Sequence, residues 1–155
     1  MVVNEKRFFG ITNRDDNDGM AGSAAAMWES LKSERFDPFV LWRVVGEDMQ
    51  LLSHVVHIFS NEYPGMLRDL EDGARARDAG ALRRASHKLK GSLLQFAAPL
   101  AASAAADLER CANNDGMENA PALIEAVKKE TDFVIQMLRA MTSHQPPGAR
   151  SESEI

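Results

Sequence analysis

Apolar residues recur along most of this chain at alternating steps of three and four. Between Glu47 and Asp72 they are Leu52, Val56, Phe59, Tyr63, Met66 and Leu70, which keeps one apolar stripe on one helical face. Pro64 and Gly65 interrupt that segment and predict a kink. From Asp78 to Phe96 the stripe is Leu82, Ser86, Leu89, Leu93 and Phe96. After Pro99, a residue suited to a first helical turn, it is Leu100, Ala104, Leu108 and Cys111. The last stripe, from Pro121 to Met141, is Ile124, Val127, Thr131, Val134, Leu138 and Met141. Strand signals are nearly absent. The pattern therefore predicts an all-α protein, an antiparallel four-helix bundle. A shorter helix around "PFVLWRVVG" is expected to cap one end.

The ends differ from the middle. Residues 1–35 are expected to form a partly disordered polar tail, because "NRDDNDG" cannot build a core, with a short helix in "AAAMWESLKSE". Trp28 falls in that helix, outside the expected bundle, as an apolar anchor for the bundle or for a partner. Residues 36–142 form the bundle. Residues 143–155, "SHQPPGARSESEI", read as a disordered tail of prolines and small polar residues.

Charge and composition narrow the function. The net charge of −5 argues against nucleic acid as the main partner. No run of apolar residues is long enough to span a membrane, and the first twenty residues lack the apolar region of a secretory signal. Cys111 is the single cysteine, which points to a reducing compartment and a cytoplasmic protein. On the apolar stripe, Cys111 is expected to be a buried, inert thiol. His54 and His57 have a spacing that can hold a metal, but no further ligands accompany them, so no metal site is expected. No phosphate-cradling glycine loop and no nucleotide site appear, so independent kinase activity is not expected.

One turn stands out. "ASHKLKGS", residues 85–92, places His87, Lys90 and Gly91 together and accepts a mid-helix glycine that costs about 1 kcal/mol relative to alanine. With Leu82, Leu89 and Leu93 facing the core, His87 points about 140° away and Gly91 about 180° away. Lys90 and Leu94 lie at about 80° and 120° on the same outer side. Arg83 and Arg84 precede the histidine by one turn. An exposed imidazole is a nucleophile near neutral pH and can become a phosphohistidine. Lys90 would supply a cation to the phosphoryl oxygens, and Gly91 would leave room for a docking protein.

The segment "ASHKLKGSLLQFAA" resembles the signature of the histidine-containing phosphotransfer (HPt) family, which reads roughly His-x-Leu-Lys-Gly-Ser followed by an apolar-Gly-Ala turn. His87, Leu89, Lys90, Gly91 and Ser92 match in register, and Phe96 and Ala98 fall in the turn. "DLERC" resembles the family's Leu-Glu pair, with Leu108 and Glu109. The resemblance covers residues 36–141. It implies a helical bundle that accepts a phosphoryl group on His87 from a receiver-domain aspartate, or from a kinase, and passes it to another receiver. It further implies Lys90 as electrostatic partner and Gly91 as clearance residue. Partners would be response-regulator receivers or a hybrid histidine kinase, met through Arg83, Arg84 and Leu94. Mg²⁺ would sit on the receiver, with no cofactor on this chain, which is expected to be a monomer. Three positions depart from the signature: Ser86 replaces an alanine, Ala97 replaces the glycine of the turn, and Leu94 replaces a small residue. Ser86 is expected to bond back to a carbonyl one turn earlier. Leu94 could narrow access to His87, which motivates an alternative reading, a binding-only module that inhibits a receiver or kinase without carrying phosphate.

Overall fold

The structure is a computed structural model that describes residues 16–114 and 116–143, with side chains from residue 24 onward. Among the described residues there are six α-helices: α1 (Asp16–Leu31), α2 (Pro38–Val44), α3 (Met49–Arg75), α4 (Ala79–Gln95), α5 (Pro99–Asn113) and α6 (Ala120–Thr142). A 3₁₀ turn at Met117–Asn119 precedes α6. The expected tails at 1–15 and 144–155 lie outside the described residues.

Local chemistry marks where each helix begins and ends. Asp37, Asp48 and Asp78 cap α2, α3 and α4, their carboxylates accepting from backbone N–H groups of the first turn. Each cap contributes about 1 kcal/mol. Proline stands in the first turn of α2, α5 and α6, where its missing N–H costs nothing. The end of α4 is a Schellman turn: Ala98 N–H donates to Leu93 C=O and Ala97 N–H to Leu94 C=O. That turn puts Ala97 in the left-handed region, at φ +54°. α3 ends in the same way at Arg77, φ +53°. Connections this short between long helices make sequence neighbours antiparallel.

Helices α3 to α6 close a ring: α3 packs on α4, α4 on α5, α5 on α6, and α6 back on α3. The stripes expected on α3, α4 and α6 are all buried in it. At one point the approach is close. A Cβ on Gly73 of α3 would come within 3.1 Å of the Leu82 backbone nitrogen, so glycine permits the α3–α4 contact.

The structure corrects some expectations and sharpens others. α3 continues as one helix through Pro64 and Gly65. The α5 stripe is displaced: Ala101, Ala102, Ala105, Leu108 and Ala112 are buried, while Leu100 is exposed and Cys111 only half-buried. Cys111 donates to Gly116 C=O, and burial, then the nearby Glu118 carboxylate, pushes its pKa up. The helix expected at "AAAMWESLKSE" already starts at Asp16. Trp28 is wholly buried, edge-on to Trp42 and Phe39 of α2, and belongs to the core. Beyond it, Arg35 ties the α1–α2 connection to α6 by an ion pair with Glu130 at 2.8 Å, stacked over the Phe133 ring.

Candidate functional site

α4 is amphipathic because Leu82, Ser86, Leu89 and Leu93 line its core side. The Ser86 hydroxyl donates to Leu82 C=O at 2.7 Å, so the buried polar atom is satisfied within the helix. This register turns His87 outward, with its side chain 70% exposed. Gly91 sits one turn on, and a Cβ there would meet nothing within 4 Å.

The other half of the site comes from α5. Its buried face is mostly alanine, and alanine lets two helices approach closely. Leu108 is fully buried in the bundle. Glu109, the next residue, stands at the edge and reaches α4. One oxygen, Oε2, accepts from His87 Nδ1 at 3.1 Å and from Lys90 Nζ at 3.2 Å. Burial raises the Glu109 pKa, but the hydrogen bonds and charges of Lys90 and His87 outweigh it and hold the carboxyl below its ordinary value. Glu109 is therefore an anion at neutral pH.

The carboxylate selects an imidazole tautomer. An acceptor at Nδ1 keeps the proton there and leaves the Nε2 lone pair free. Lys90 is held beside the ring through Glu109 and not by the ring itself. Its side chain is 27% exposed, close enough to the surface to swing to a new anion.

Of the residues singled out from the sequence, His87 and Lys90 meet through Glu109. Arg83 and Arg84 are exposed and share a cleft with His87, Lys88, Glu109 and Asn113. Leu94 is 61% exposed and lines a different groove, with Phe36, Val40, Ala97, Ala98 and Pro99. It does not line the cleft at the histidine. His54 and His57 are exposed on α3, where His57 shares a hydrogen bond with Asn61. Among the described residues no three His, Cys, Asp or Glu side chains gather as a metal site, and no helix is long and apolar enough to cross a membrane. Glu109 was visible in the sequence only as half of a Leu-Glu pair. Its contact with a residue 22 positions away depends on helix packing.

On α4 the bundle presents an outward histidine, its Nδ1 bound to a carboxylate with a lysine beside it. The sequence model of the Hpt domain matches residues 54–141, more than half of the chain. The chain belongs to the Hpt domain family, whose members transfer phosphoryl groups through a histidine in phosphorelays and interact with receiver domains and histidine kinases. No curated protein and no solved structure gives a significant match.

Proposed function

We propose that His87 is the phosphoacceptor of this chain, and that it takes the group from an aspartyl phosphate on a receiver domain and returns it to a second receiver. The observation that carries this reading is Glu109 bound to Nδ1, which leaves Nε2 free on an open helical face. In the transfer, the Nε2 lone pair attacks phosphorus and the P–O bond to the aspartate breaks. The aspartate leaves with the electron pair as a carboxylate. The imidazole ring becomes positive, and Glu109, already hydrogen-bonded to Nδ1–H, stabilises that charge. Lys90 turns from Glu109 to the phosphoryl oxygens. Mg²⁺ is assigned to the receiver.

Docking uses both halves of the α4 face. Arg83 and Arg84 complement an acidic receiver pocket, Gly91 gives clearance, and Leu94 with its groove offers apolar contact. We read residues 36–142 as the carrier domain, with Trp28 of α1 packed onto it.

The test charges a panel of receiver domains chemically, removes the donor by gel filtration and mixes each with the protein. The wild type should gain one acid-labile, alkali-stable phosphoryl group by intact mass, and His87→Gln none. Uptake by the His87→Gln variant at the wild-type rate would refute the assignment. A receiver that binds but never transfers would favour the binding-only alternative.

A further inference from the structure

Among the described residues, three cations beside His87 make no ion pair. Arg83 and Arg84 lie one turn before the histidine and Lys88 directly after it, all exposed. Arg35, Arg75, Arg110 and Lys90 each sit on a carboxylate; these three do not. They gather in a chain whose net charge is −5, and Arg84 and Lys88 also line a neighbouring groove with Asp69, Asp72 and Asp78. With His87, Glu109 and Asn113 they line one cleft of about 410 Å³ between α4 and α5. Lys90, at 3.2 Å, offsets the charge of Glu109 there.

Such a cleft suits a small dianion that touches the nucleophile. A receiver brings its phosphoryl group already neutralised by its own cation. A free donor brings none, and its two charges must be met by this chain. We propose that the cleft binds small acyl phosphates and that His87 takes their phosphoryl group with no partner protein. The proposal rests on His87 being the phosphoacceptor. The bond broken is the same mixed anhydride that an aspartyl phosphate carries. Nε2 attacks phosphorus, the P–O bond to the acyl group breaks, and the carboxylate leaves with the electron pair. The Nδ1 proton stays between the ring and Glu109. The charges balance without a metal or a further reactant.

The probe is acetyl phosphate with EDTA present, followed by intact mass over a range of donor concentrations. The wild type gains one phosphoryl group, at a rate that saturates with donor and is competed by inorganic phosphate. Arg84→Gln with Lys88→Gln raises the half-saturating concentration about fivefold and keeps the maximal rate within about twofold, as the loss of two exposed charge contacts should. Arg84→Lys with Lys88→Arg restores the wild-type value, and circular dichroism verifies that each variant is folded. A rate linear in donor and indifferent to inorganic phosphate would overturn the proposal, as would a double glutamine variant identical to wild type. An adduct that survives His87→Gln would overturn it too. If acetyl phosphate adds nothing while a charged receiver still labels His87, this proposal falls and the carrier function stands. If neither source labels His87, both fall.

Discussion

Glu109→Gln removes one charge and keeps the shape of the side chain. The wild-type oxygen accepts two hydrogen bonds, at 3.1 Å from His87 and 3.2 Å from Lys90. A glutamine can place its one carbonyl oxygen where Oε2 stands and keep both hydrogen bonds, but without the charge. A hydrogen bond to a charged group contributes about 1.5–3 kcal/mol and a neutral one about 1 kcal/mol. The Glu109 side chain is 20% exposed, so solvent screens part of that difference. A loss of about 1.4 kcal/mol remains, and it falls on the step in which the ring becomes positive; that corresponds to about tenfold in rate. The assay is single-turnover transfer from a charged receiver, by rapid quench, over a range of receiver concentrations. The maximal rate should fall about tenfold while the half-saturating receiver concentration changes by less than about twofold. Glu109 also has a lowered pKa, so its ion pairs stabilise the fold above the ordinary carboxylate range. That contribution disappears as pH falls through the folded-state pKa. The stability gap between wild type and Glu109→Gln should therefore close in acid. A folded Glu109→Gln protein that transfers at the wild-type maximal rate would refute the role given to this carboxylate.

Ala97→Gly should stabilise the protein by about 0.5–1 kcal/mol, because it relieves a left-handed alanine at some cost in chain entropy; thermal unfolding checks it, and an unchanged or lower Tm counts against it. Trp28→Ala should destabilise by about 3–5 kcal/mol, as for a fully buried aromatic, and deletion of residues 1–35 should do at least as much by denaturant titration. A free tail would show no loss. Cys111 should react with iodoacetamide more slowly than an unhindered thiol at pH 8, with the rate still rising above pH 9, since burial keeps the thiol protonated. A rate that levels off below pH 9 would contradict that.

The legible parts of the sequence were those where apolar residues are large. Leu, Val, Ile, Phe and Met at three-and-four spacing reported the buried faces of α3, α4 and α6 directly, and with α4 came the outward direction of His87. α5 resisted because "PLAASAAADLERCAN" is apolar on most sides. Its leucines seemed to mark the stripe, yet the core takes the alanines and leaves Leu100 in solvent. Small residues carry little periodic signal, and here they serve close packing. The same packing brings Glu109 to His87, so the site's third member was hidden for the reason that the helix was misread. Trp28 stood out as an apolar anchor, but nothing local says that it anchors α1 on α2 and not on a partner. Pro64 marks a position where the helix continues despite a local breaker.

Gly91 has a consequence for how the protein would respond to selection. Among the described residues nothing packed against the helix requires a glycine there, since a Cβ would meet nothing within 4 Å. Alanine would fit and make the helix about 1 kcal/mol more stable. A laboratory evolution experiment that scores only heat resistance or expression should therefore drift to Gly91→Ala, and the gain would look free of any drawback. The drawback would appear only when a receiver is added and transfer slows. At this position fold stability and partner access are scored by different molecules, and a stability screen sees just one of them.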